Sequence, residues 1–409
     1  MIGATTVKPR TLGDREFILL MAFVSALSAL AIDMLLPAFA DMREAFGLSS
    51  DATDLSLTIT LFFVGSGVGQ LFYGPLADAI GRKPVLAASL MLYGVAALVA
   101  AFAPSLAVLY GTRFVWGVAA AGPRSLSQAI VRDRYAGDAM ARVMTLIQAA
   151  FFVAPILAPI IGKGLVTIGS WRWVMGFGVV SAALVALWAM RLEETLDPAN
   201  RRPLRLDSTF AGFGIVVRDR QTMGYLMAVG FAMGAFFSFL ASAELVFESV
   251  FDRASWFVPY FSGMSVLYAG VALASSRLLR RMAAYRLALL AGAGLLATST
   301  VFLLVALSTG GVPPFALFLV LFTTANACHI VFFPTGNSLA LEPMGALAGT
   351  AAAVLGFITS LMGAGLAALI DRAIDGTVTP MALGYTIYAA IGLAFQFWAR
   401  GGRERTESP

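Results

Sequence analysis

Ionisable side chains set inside long apolar runs are where this sequence can do chemistry. Asp33 lies seven residues before the end of an apolar run over 17–40, and Arg113 lies seven residues into another over 106–131. A charge at bilayer depth costs about 2.5–3.5 kcal/mol even on lenient insertion scales, so each one calls for a partner or a purpose. A buried carboxyl can take up and release a proton, and a guanidinium can hold that carboxylate or an anionic cargo. Arg124 follows Arg113 by eleven residues, which returns it to within about 20° of the same helix face. Arg113, Gly117, Ala120, Arg124 and Gln128 therefore form one stripe. Glu244 and Glu248 stand a turn apart near the end of a run over 222–247; Glu244 is a second candidate proton site and Glu248 reads as interfacial. Asn326 and His329 are nearly a turn apart within 313–340. A lone buried histidine is more often a hydrogen-bonding residue than a proton carrier, so His329 ranks third. Gln70, Gln148 and Tyr268 are further polar candidates for a cavity. Phe62, Phe63, Phe236 and Phe237 read as packing or lipid contacts.

The elements that must hold these residues are hydrophobic helices. The chain of 409 residues is 59% hydrophobic and only 12% charged, with net charge +5, whereas soluble domains carry about 25% charge. That balance indicates a polytopic membrane protein and gives no footing for nucleic acid. The one cysteine, Cys328, excludes an internal disulfide, and the one histidine leaves no cluster for a metal. No nucleophile triad, phosphate loop or redox motif is present, so neither an enzyme nor a cofactor is expected. Runs long enough to span a bilayer, about 20 residues each, fall near 17–40, 55–74, 84–103, 106–131, 139–165 and 171–190. Six more follow near 222–247, 256–279, 286–308, 313–340, 347–370 and 380–399. The fold class is all-α: twelve transmembrane helices in two six-helix halves, 1–195 and 221–409, joined by a polar linker over 196–220.

Lys and Arg placement orients the bundle. With both termini cytoplasmic, 21 of the 28 basic residues fall on the inner side, and only Arg43, Lys163, Arg172, Arg253 and Arg372 fall on the outer. Arg113 and Arg124 lie inside the fourth run. The expected location is an inner membrane, with a monomer as the default assembly.

Between the second and third runs, residues 74–86 read GPLADAIGRKPVL. Gly74 and Pro75 end one run and Pro84 opens the next. Gly74 is expected to let two helices approach, Gly81 to permit a sharp turn, and Asp78 to sit at a neighbouring helix N-terminus. Arg82 and Lys83 hold the loop on the cytoplasmic side. This stretch resembles the signature loop of the major facilitator superfamily, G-x-L-A-D-x-x-G-R-K. Three further stretches resemble its Bcr/CflA-type multidrug efflux branch: 31–38 (AIDMLLPA), 113–117 (RFVWG, with Trp116 in place of a usual glutamine) and 154–162 (APILAPIIG). Smaller echoes include 130–133 (IVRD) and 193–196 (EETL). Pro155, Pro159 and Gly162 of the third stretch share one helix face and form an antiporter-type motif, read equally as a seam that seals the two halves or as ordinary packing of a proline-bent helix.

The resemblance implies a proton-driven exporter of small organic compounds, with protons and cargo as its small partners. It also implies that the first, fourth, seventh and tenth helices line the cavity. Asp33 and Arg113 then share a depth, so a pair between them is feasible, and Arg124 either faces the inner half of the cavity or snorkels to the cytoplasmic surface. A symporter or metabolite exporter on the same fold is the alternative. A non-transporting membrane sensor is a remote one, since such a protein would carry an appended soluble domain.

Overall fold

The computed structural model describes residues 12–201, 214 and 216–406. Twelve long helices are found among the described residues. The first six are α1 (Asp14–Asp33), α2 (Ser56–Ile80), α3 (Arg82–Ala101), α4 (Leu106–Arg134), α5 (Gly137–Ile168) and α6 (Trp171–Ala189). The second six are α7 (Arg220–Leu245), α8 (Ala254–Leu278), α9 (Ala284–Ser308), α10 (Phe315–Leu341), α11 (Ala348–Asp371) and α12 (Thr379–Thr406). Ten of them are long and apolar enough to cross a membrane. α4 falls short because Arg113, Arg124 and its terminal arginines make it more polar; in α5 the apolar stretch among the described residues is Val153–Ile168. Exposed leucines, valines and isoleucines such as Leu184, Ile160, Leu290 and Val320 cover the outside of the bundle, as a bilayer requires.

Two runs differ from their expected shape. The run over 17–40 is not one helix: α1 stops at Asp33, a 3₁₀ turn follows at Leu36–Ala38, and a short helix, Phe39–Ala45, completes the crossing. Pro37 lacks a backbone N–H and cannot continue the α-helical ladder. Conversely, α2 does not end at Gly74 and Pro75 but passes through Pro75 to Ile80. The chain reverses at Gly81 instead, whose φ of 124° suits a residue without Cβ. A Cβ at Gly74 would meet nothing within 4 Å, so close helix approach is not its role.

Helices α1–α6 pack among themselves, as do α7–α12, and the two sets meet chiefly where α2 lies on α11 and α5 on α8. Successive helices alternate in direction. At the end that holds Gly81, here the turn end, the start of α1 meets the ends of α4 and α6 through Asp14–Arg134 and Glu16–Arg191. The opposite, far end holds Arg43 and Asp371. Of the expected linker 196–220, only 196–201, 214 and 216–220 are described, with a 3₁₀ turn at Pro198–Asn200.

Candidate functional site

Asp33 is the last residue of α1 and is buried, 5% exposed, with no ion pair among the described residues. Arg113 is completely buried on α4. Its Nη1 donates to the carbonyl of Ala31 at 3.0 Å and its Nε to that of Thr58 at 3.2 Å. The pair expected between Asp33 and Arg113 is thus absent, and the break in α1 explains it. Leu35 N–H, the natural donor to Ala31 in a continuous helix, goes to Ile32 instead. The carbonyl of Ala31 is left as a helix-end orphan, and Arg113 satisfies it. The guanidinium is also faced by the rings of Phe62, at 4.6 Å, and Trp116, at 5.1 Å, which supply cation–π attraction. Trp116, where a polar residue would have been expected, therefore closes over the arginine. Arg113 Nη2 is buried without a hydrogen-bond acceptor among the described residues.

The stripe on α4 does not face one cavity. Gly117 packs so tightly on the backbone of Phe62 that no Cβ fits, so this level of the stripe belongs to the α2–α4 contact. Ala120 is buried as well, whereas Arg124 and Gln128, further toward the turn end, are exposed.

In the second half the polar candidates are engaged locally. Tyr268 Oη donates to the carbonyl of Thr323 at 3.3 Å. Asn326 donates to the carbonyl of Phe322 at 3.0 Å and accepts from Tyr385 Oη at 3.2 Å. Both residues are therefore fixed in the packing of α8, α10 and α12 rather than presented to a cavity. His329 is buried in an aromatic stack, its ring 4.9 Å from Phe236 and 6.1 Å from Phe333, and its Nδ1 has no partner among the described residues. The side chain of Gln148 lies outside the described residues.

The turn end is a charged knot within the first half. Arg82 bonds Asp78 at 2.5 Å and Asp133, at the end of α4, at 3.0 Å. The anion at the start of α3 is Glu194, not Asp78: its carboxylate accepts from the backbone N–H of Arg82 at 2.9 Å and of Lys83 at 3.2 Å. A carboxylate there answers both the orphan donors and the helix dipole. Asp78 sits one turn before Arg82, so the guanidinium captures it first. Lys83 Nζ donates to the carbonyl of Met190 at 2.9 Å. The segments 130–133 and 193–196 thus meet at this knot.

Sequence reasoning missed the far-end counterpart. Arg43, counted there as one more outer-side cation, is buried in the short helix after α1. Its Nη2 reaches both carboxylate oxygens of Glu244, at 2.9 and 3.0 Å, and one of Glu248. These acids stand on α7 and on the π-helical turn Val246–Val250 that follows it, so the cluster ties one half to the other. Two acids one turn apart do signal a shared cation, but nothing in the sequence names which of five outer basic residues supplies it.

Three more contacts join the halves between this cluster and mid-depth. Phe63 on α2 stacks on Phe237 on α7, with centroids 3.5 Å apart. Gln70 donates to Ser360 on α11 at 3.5 Å and lies against Gly356. Ser262 on α8 donates to the carbonyl of Ile156 at 2.9 Å, beside Pro155. The α5 motif divides its work accordingly. Its glycine, Gly162, packs on the backbone of Met34 and serves the contact of α5 with α1 in the same half, not the expected seam. Both prolines, Pro155 and Pro159, lie inside a continuous α5.

Residues 21–368 match the family model of the Major Facilitator Superfamily. The chain is 30% identical to a bicyclomycin resistance protein homolog of Haemophilus influenzae, over 89% of this chain and 91% of that protein. It is 25% identical to multidrug resistance protein D of Escherichia coli, over 88% and 90% of the two chains. Among solved structures it is similar to a D-xylose-proton symporter, with TM-score 0.71 and 16% identity, covering 94% of this chain and 97% of that one. The human organic anion transporter MFSD10 gives TM-score 0.69 at 20% identity, covering 95% and 100%.

Proposed function

Because this chain belongs to the Major Facilitator Superfamily, we propose that it is a proton-driven exporter of small organic compounds, a drug/proton antiporter of the inner membrane. It is a multi-pass membrane transporter and not an enzyme. The observation that carries the exporter reading is the likeness to a bicyclomycin resistance protein homolog along nearly the whole length of both chains.

On this reading the twelve helices all span the bilayer, with both termini and the linker 196–220 cytoplasmic. The turn end is then the inner face and the far end the outer face. The halves 1–195 and 221–409 rock about a site between them. The far-end cluster of Arg43, Glu244 and Glu248 closes the outer side, and opening it requires these charges to separate. Asp33 is the proton carrier of first choice, being buried beside the break in α1 with no counterion among the described residues. Glu244 is the second, held in the far-end cluster, and His329 is the third. Arg113 anchors the backbone next to Asp33, while Arg124 and Gln128 face the cytoplasmic side of the cavity. One proton moving inward across about 100 mV releases about 2.3 kcal/mol, enough to hold a neutral cargo gradient of about fifty-fold.

The test is cargo accumulation in inside-out vesicles with and without an imposed proton gradient. Antiport predicts accumulation that depends on an acidic interior and collapses with a protonophore. Accumulation only in right-side-out vesicles would make the protein a symporter.

A further inference from the structure

Asp371, the last residue of α11, is fully buried at the far end. Two serines one turn apart on α7 both donate to the same carboxylate oxygen: Ser238 at 2.9 Å and Ser242 at 2.6 Å, both to Oδ1. The other oxygen, Oδ2, is buried with no partner among the described residues. Among the described residues, the groups around it give it no counterion. On α7, Glu244 is itself acidic. On α12, the nearby Tyr385 and Tyr388 donate to Asn326 and to the carbonyl of Leu366. The one charged residue of α2 is Asp78, at the turn end, and the one basic residue of α10 is His329, at mid-helix. Arg372, next in sequence, is exposed. Arg43 shares a small cavity with Ser242, but its charge is already met by two glutamates. The position also places a carboxyl at the negative end of the α11 dipole. A buried anion under these conditions is far costlier than a neutral acid whose hydroxyl lacks an acceptor.

We propose that Asp371, with Ser238 and Ser242, is a proton-binding site separate from Asp33, loaded at Oδ2. Binding adds one proton to a carboxylate and breaks no other bond. A metal cation fits less well, because the site gathers three side-chain groups and both hydroxyls already turn their hydrogens to Oδ1.

Infrared difference spectroscopy of the purified full-length protein in lipid nanodiscs tests this without any cargo, so its outcome is independent of whether the chain exports drugs. The wild type is expected to show a protonated-carboxyl C=O band at neutral pH that loses one component in Asp371→Asn and keeps it in Asp33→Asn. Ser242→Ala should move that component to higher frequency by removing a hydrogen bond. The Asp371→Asn protein should fold as the wild type does, since an amide mimics the loaded acid. An unchanged band in Asp371→Asn would overturn the proposal, as would failure of that variant to fold. Loss of the component on adding sodium chloride at fixed pH would reassign the site to sodium.

Discussion

At the scale of residues, Asp33 and Arg113 share a neighbourhood but do different things. Among the described residues Asp33 stands without an ion partner where α1 breaks, whereas Arg113 is consumed by the carbonyls of Ala31 and Thr58. Their variants should therefore diverge. Asp33→Asn keeps size and polarity but cannot titrate. It should retain cargo binding, measured by equilibrium dialysis, and lose uphill export in the vesicle assay. Export at the wild-type rate would move the proton elsewhere. Arg113→Ala should instead fail as a structural lesion, because hydrogen bonds from a charged donor contribute about 1.5–3 kcal/mol each. A drop in the thermal unfolding midpoint in detergent, shared by Arg113→Lys, is the expected reading. A lysine has one ammonium and cannot serve both carbonyls from one planar fork. The depth match of these residues was legible in the sequence. Their failure to pair was not, because the competing acceptor is a backbone carbonyl freed by a local break.

At the scale of elements, glycines of the two family-like motifs prove unequal. Gly162 is pressed on the backbone of Met34, whereas Gly74 faces open space. Gly162→Ala should cost about 1–3 kcal/mol through overpacking. Gly74→Ala should be neutral or stabilising by up to about 1 kcal/mol, the helix-propensity gain. Thermal unfolding of the two single variants checks the contrast, and equal midpoints would refute it. Helix existence was legible from hydropathy, and the reversal at Gly81 from its place in the motif. The end of α2 was not, since Pro75 permits a helix to continue when its surroundings hold it. Nor was the division of labour at the turn end, where Glu194 caps α3 although it lies 112 residues from Arg82 in sequence. Within these helices, polar residues such as Asn326 and Tyr268 look like cavity donors until their partners on neighbouring helices are known.

At the scale of the whole molecule, the halves are fastened at the far end by one guanidinium and two carboxylates. Removing one member of a buried ion cluster typically costs about 3–5 kcal/mol by stranding the others. Arg43→Ala should therefore shift the closed-to-open ratio of the far end by more than tenfold. Thiol labelling of a cysteine replacing Ser56, which lines the cavity beside Arg43, should speed up accordingly. Combining Arg43→Glu with Glu244→Arg restores the same set of charges and should slow labelling again. Labelling that is indifferent to both variants would remove the cluster from the gating path.

The same cluster bears on how the chain is made. The knot of Arg82, Asp78, Asp133 and Glu194 is complete once residue 194 has been synthesised. Arg43 is synthesised early, yet the acids it needs arrive 201 and 205 residues later. During translation the first half can set one of its ends while the other waits with an unanswered charge. Assembly is then expected to finish at the far end, once the seventh helix supplies the two acids.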